Sequence, residues 1–334
     1  DTFLSATYDA NAQKVVIAYD NGRLVVGTVS GTAISFGSTV SYSGDSEEIA
    51  AVYDSSFGVE RVVIAYRDPS NSQDGTAVVL RNAASYTTRN LTAENYIGMS
   101  SGPASPSGFG TSVVFETGAV DDIGSAYDST NNRHVIAYQD EGNSNQGTAA
   151  VATVSGSTVS FGTPVVFETG STSYVSPVFD STNNKVVIFY IDAGNSGYLT
   201  AIVGTVSGTA ISFGTKVVFD SGNCTEESIA YDPDAQKVVI AWKDIGNSNY
   251  GTSIVGTVSG TSISFGTAVV FESASCSSTT TAYDTENNKI VISYSDGGNS
   301  NHGTSIVGTV SGTSISFGTA VVFEAAGINA DISS

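Results

Sequence analysis

Cationic side chains are scarce. Only 12 Lys and Arg stand against 32 Asp and Glu in 334 residues, for a formal net charge of −20. A surface this negative repels phosphate backbones, and no basic patch offsets it, so nucleic acid is excluded as a partner. Cysteine occurs twice, too rarely for a disulfide scaffold or a four-cysteine zinc site. Met and Trp occur once each. No run of 18 apolar residues exists, so insertion of a helix into a membrane is not expected. A sustained helical period of apolar residues is missing too, as is any Glu-, Lys-, Leu- or Ala-rich segment to build on. An all-β chain is what remains.

What is present is a repeat. The dipeptide Tyr-Asp, once Phe-Asp, recurs at Tyr8, Tyr53, Tyr127, Phe179, Tyr231 and Tyr283. The three intervals from Tyr127 on are 52 residues each, the first interval is 45 and the second 74. Each unit reads as four short strands. In the fifth, the strand ending at Tyr231 is followed by the turn Asp232 to Gln236, rich in residues that bond their own backbone. Lys237 to Trp242 is β-branched and short, as a strand covered on both faces should be. A polar loop, Asp244 to Gly251, leads to a third strand, Ser253 to Val258, and Ser259-Gly260-Thr261 turns into a fourth, Ser262 to Phe271. Four-stranded antiparallel units of this length predict a six-bladed β-propeller as a single domain. The expected blades are 1–45, 46–119, 120–171, 172–223, 224–275 and 276–324, with 325–334 as a tail that closes the ring. The repeated Phe36, Phe109, Phe161, Phe213, Phe265 and Phe317 are expected to fill the space between sheets.

Departures from the repeat are informative. Blade one replaces the polar loop by a tight hairpin at Asn21-Gly22. Blade two carries an insertion, 82–108, that includes Arg89 and the only methionine, Met99. Insertions of this length in compact domains are usually functional or disordered.

The wording Tyr-Asp-x-x-x-Asn-Asn-Lys-Val-Val-Ile-Ala-Tyr, then Gly-Asn-Ser-Asn-x-Gly-Thr, then Ser-Gly-Thr-Ser-Ile-Ser-Phe-Gly-Thr resembles the long repetitive proteins of marine tailed phages, notably those of cyanobacteria. Asn90 to Gly98 is similar to a motif that follows the repeats in those proteins, whereas here it lies inside blade two. The resemblance covers nearly all of the chain. It implies a structural or virion-associated protein, on a virion or outside the cell.

One reaction cannot be distributed evenly over six copies, so the repeated acids read as structure. Asp9, Asp54, Asp128, Asp180, Asp232 and Asp284 stand where an Asx-turn opens a hairpin. Glu116, Glu168, Glu272 and Glu324 end the fourth strand and read as solvated edge charges. His134 and His302 have no Ser, Asp or Cys in a fixed relation to them, and no catalytic residue or cofactor is implied. Cys224 and Cys276, 52 residues apart, read as free thiols, and Asn90 and Asn223 each open a glycosylation sequon.

The polar loop is the candidate site. Its members are Asp140, Asn143 and Asn145; Asp192, Asn195 and Tyr198; Asp244, Asn247, Asn249 and Tyr250; and Asp296, Asn299, Asn301 and His302. Three readings fit: a self-bonded turn, a carbohydrate site in which Asn and Asp read hydroxyls beside a stacking ring, and a calcium site, the last disfavoured by having one Asp per loop. The function expected is non-enzymatic adhesion or receptor binding, with a cell-surface glycan or other subunits of an assembly as partner. A purely structural virion or filament component and a propeller glycoside hydrolase are the alternatives.

Overall fold

The computed structural model describes residues 4–9, 14–19, 21–30, 33–54, 61–81, 109–222 and 224–327. The insertion 82–108, both sequon asparagines and the tail from 328 lie outside them. All of the long elements are antiparallel strands, and no α-helix occurs among the described residues.

Six four-stranded units follow one another. The fifth contains Cys224–Asp232, Lys237–Asp244 and Tyr250–Ser259, paired in that order. Its fourth strand is broken in two: Ser262–Phe265 pairs with the outer half of the third strand, and the start of Val269–Asp284 pairs with the inner half. The expected single strand is split because Gly266 meets the next unit, where an added Cβ would lie 1.8 Å from the Thr313 carbonyl oxygen. Val269–Asp284 then runs on to become the first strand of unit six, pairing with Lys289–Asp296. Val113–Asp128 and Val165–Asp180 make the same passage earlier in the chain, with the change of partner between Ala119 and Val120 and between Ser171 and Thr172. In unit six, pairing extends to Gly327, past Glu324.

Second strands are buried on both faces, as in Val238, Val239, Ile240, Ala241 and Trp242. Five apolar clusters result, each joining two consecutive units. Among the described residues none joins unit six to unit one: Phe323 is 57% exposed and Phe36 53%. The aromatic core also differs from expectation. Of the six repeated Phe-Gly phenylalanines only Phe109 is buried; Phe161, Phe213, Phe265 and Phe317 are half-covered. Buried rings come instead from Phe115, Phe167 and Phe271 on the strand that follows, stacked against Tyr138, Tyr190 and Tyr294 at 5.2 Å. In units three and five Phe167 and Phe271 are the buried rings in place of Phe161 and Phe265; Phe271 faces a glycine at the start of the third strand, where a Cβ on Gly251 would lie 2.4 Å from its ring.

In units three to six the first turns are bonded to their aspartate as read, and the turns after Asp9 and Asp54 lie outside the described residues. Asp128 Oδ1 accepts the N–H groups of Thr130 and Asn131 at 3.0 and 2.9 Å, and Asp180 repeats the pattern with Thr182 and Asn183. Cys224 and Cys276 are free and buried.

Candidate functional site

In units three to six the polar loop contains one 3-10 turn: Glu141–Asn143, Ala193–Asn195, Ile245–Asn247 and Gly297–Asn299. The aspartate before each turn ends the second strand and faces inward. Asp140 and Asp192 are buried, and Asp244 Oδ1 accepts the Asn247 N–H at 2.9 Å. Two left-handed residues follow: Ser144 and Asn145, Ser196 and Gly197, Ser248 and Asn249, Ser300 and Asn301. The Asn145 and Asn249 carbonyls accept the N–H groups of Thr172 and Cys276 at 2.9 Å. Asn145, Asn249 and Asn301 therefore hold a backbone conformation that Asn tolerates better than most residues, and Gly197 meets the same need without an amide.

Asn143, Asn195, Asn247 and Asn299 are exposed, as are Asn145 and Asn301, and Asn143 Nδ2 donates to Gln146 Oε1 at 2.8 Å. Tyr198, Tyr250 and His302 start the third strands, half-buried, opposite Asp192, Asp244 and Asp296. Unit two keeps the same loop course despite its altered sequence, with Ser72 and Gln73 left-handed and Asp68 Oδ1 accepting the Ser70 N–H at 3.0 Å. Its departure is chemical, whereas unit one, with Asn21 and Gly22 left-handed in a short hairpin, lacks the loop altogether.

Each loop lies on the linker entering its own unit, because Gly118 and Gly142 approach so closely that a Cβ on either would sit 3.1 Å from the other's Cα. Three of the fourth-strand glutamates, Glu116, Glu168 and Glu272, stand here and are not free edge charges, whereas Glu324 is exposed. Tyr138 Oη donates to Glu116 at 3.1 Å, Tyr190 to Glu168 at 3.0 Å and Tyr294 to Glu272 at 3.0 Å, each bond crossing from one unit to the next. Burial and Glu116 raise the Asp140 carboxyl above its ordinary range. In unit four Lys216 donates to Asp192 at 2.8 Å and to Glu168, and the ammonium outweighs burial to hold Glu168 below its usual range.

His134, expected to be structural, is buried between units two and three. Its Nε2 lies 3.7 Å from Asp54 Oδ2, which Arg61 holds at 2.8 Å. Burial lowers the imidazole pKa against the opposing pull of Asp54.

A second candidate site was not anticipated. A cavity of about 780 Å³ is lined by the first strands of all six units, from Ser5 in the first to Ser278 in the last. Five of these strands carry a bulge with one left-handed residue: Glu48, Asp122, Tyr174, Glu226 and Ser278, with φ between 45° and 57°. Neighbouring bulges are linked, since Asp122 Oδ2 accepts the Tyr174 N–H at 2.7 Å and Glu226 accepts that of Ser278. Carboxylates from different units converge here. Oxygens of Glu48, Asp121 and Asp122 lie within 4.8 Å of one another. Burial, Asp121 and Asp122 push the Glu48 carboxyl up to about 8, and burial pushes Asp122 up to about 6 although the Tyr174 N–H opposes it. Glu227 is raised well above the carboxylate range by burial and by Asp122. Acidic doublets on a first strand, Glu47-Glu48, Asp121-Asp122 and Glu226-Glu227, were the signal available for this site.

No protein-family model matches this chain, and no curated protein matches it in sequence. Solved structures do. AofleA from Arthrobotrys oligospora is similar over 99% of this chain and 93% of its own, at 11% identity and a TM-score of 0.52. The SapL1 lectin in complex with α-methyl fucoside is similar over 98% and 97%, at 11% identity and a TM-score of 0.53. A protein of unknown function from Dyadobacter fermentans is similar over 95% and 92%, at 12% identity and a TM-score of 0.54. At such identities the likeness is one of fold.

Proposed function

We propose that the chain is a six-bladed propeller that binds glycans without transforming them, through the polar loops repeated along one rim. The ring is supported by the single cavity that first strands of all six units line. Its closing seam would join Phe323 and Gly318 of the last blade to the first, since residues in those places elsewhere receive a neighbour: an added Cβ at Gly214 would lie 1.9 Å from the Thr261 carbonyl oxygen.

The binding reading is carried by four loops with one backbone course, each leaving an exposed Asn beside a half-buried Tyr or His or, in unit three, Gln146. Amide and carboxylate groups read hydroxyl pairs, and linked weak sites gain avidity without strong single contacts. The SapL1 complex supplies the first ligand to try, an α-fucoside. The resemblance of the repeats to marine tailed-phage proteins supports placing the module on a virion or an extracellular fibre. Hydrolysis is the second reading, because carboxylates do converge on the axis. Glu48, Asp121 and Asp122, with oxygens within 4.8 Å, are closer than the roughly 5–9.5 Å that separates paired glycosidase carboxylates.

A glycan array followed by titration calorimetry with α-methyl fucoside tests the reading. Joint replacement of Asn143, Asn195, Asn247 and Asn299 by Ala should abolish array binding while the circular dichroism spectrum is kept. Undiminished binding by that variant would remove the loops from the site, and release of reducing sugar would revive the hydrolase.

A further inference from the structure

We propose that the axial cavity binds one divalent cation of the calcium class, held by Glu48, Asp121 and Asp122, with Glu227 beside Asp122. This site is separate from the polar loops and does not depend on the glycan reading.

The geometry comes first. A cation about 2.3–2.6 Å from each of its oxygen ligands spreads those oxygens over no more than about 5 Å. Glu48, Asp121 and Asp122 each offer an oxygen, all within 4.8 Å of one another.

Glu227 supplies an independent sign. It lines the same cavity from unit five, close enough to Asp122 to feel its charge, and its buried Oε2 has no hydrogen-bond partner among the described residues. A buried carboxylate oxygen without a donor is costly, and a hard cation would supply what is missing.

The charge balance agrees. Arg67 is the cation placed to offset this group, and it is shared: it holds Glu47 at 2.7 Å and reaches Asp121 at 3.6 Å. Asp122 receives one backbone N–H, from Tyr174. Glu48, Asp122 and Glu227 have no cationic side chain to themselves among the described residues. Units four and six contribute the neutral Tyr174, Ser278 and Thr279 to the wall of a cavity large enough to complete the coordination shell with water.

The test uses the whole chain, stripped with chelator and titrated with calcium chloride by calorimetry and equilibrium dialysis. One ion per chain is expected, with a Kd of about 10⁻⁴ M or tighter. Glu48→Gln together with Asp122→Asn should weaken binding about tenfold or more. If that pair fails to fold, Glu227→Gln, which removes no hydrogen bond to Oε2, should weaken it by a similar factor. Asp244→Asn, in a polar loop, should leave it unchanged. No uptake by wild type at about 10 mM calcium overturns the proposal. So does uptake that survives Glu48→Gln and Glu227→Gln, or a stoichiometry near four that Asp244→Asn reduces.

Discussion

Asn249 and Asn247 stand two positions apart in one loop and are held for different reasons. Asn249 has a φ of 62°, so the backbone chooses the residue. Asn249→Ala should cost about 1 kcal/mol and Asn249→Gly much less, because only a Cβ-free residue adopts that conformation freely. Thermal denaturation of the two variants side by side checks the order. Asn247 is exposed and outside the left-handed pair, so its replacement by Ala should leave stability unchanged and act on binding alone.

His134 offers a pH test at the same scale. Burial lowers its pKa from the ordinary value of about 6.5, so the folded state binds fewer protons than the unfolded state as pH falls below that value. The contribution is therefore complete above about pH 6.5 and is lost on acidification toward the lower folded pKa. The charged groups facing it, Asp54 and Arg61, remain in the variant His134→Val, which copies Val186 and Val238 of other units. The melting temperature of this variant should fall less than that of wild type between pH 6.5 and about pH 5.

At the scale of elements, what joins one unit to the next is a fourth strand that becomes a first strand, clamped by a tyrosine–glutamate bond. Phe271 stands at that joint, buried against Tyr294. Phe271→Ala should cost about 3–5 kcal/mol, and Phe265→Ala, half-covered, about 1–2 kcal/mol. Urea titrations that gave equal losses would place the two rings in equivalent surroundings.

Between units three and four the clamp includes Lys216, which is 41% exposed, against the buried Glu168 and Asp192. Removing the ammonium leaves two carboxylates together. The full cost of breaking a buried pair is reduced by solvent around the lysine, and Lys216→Met should lose about 1–3 kcal/mol at neutral pH. Glu168 has a lowered folded pKa, so its share is present above the ordinary carboxylate value and disappears as pH falls through the folded one. Wild type and variant should therefore converge in stability at acid pH.

For the whole molecule the open question of shape lies at one seam. Phe323 and Phe36 are more than half exposed, while Phe115, Phe167 and Phe271, which precede other joints, are buried. If the proposed ring closes in solution, Phe323→Ser should destabilise by about 1–3 kcal/mol. An effect within about 0.5 kcal/mol would mean that the ring stays open there.

The sequence by itself determined the all-β class, the six copies, the strand order within a copy, the Asx-turns and the place of the polar loops. All of these are local: a period, a β-branched run or an Asp at the mouth of a turn acts over a few residues and is written there. Only the tertiary structure decided which phenylalanine is buried, because that depends on the glycine across the strand and on the next unit's turn. It also turned Glu116, Glu168 and Glu272 from edge charges into clamps, their tyrosine partners being 22 residues away on another unit. The carboxylate cluster was least legible. Glu48 and Asp122 are far apart in sequence, and they meet because bulges on separate first strands turn toward one cavity, which Glu227 also lines. Convergence of that kind comes from the arrangement of whole units, which no local pattern records.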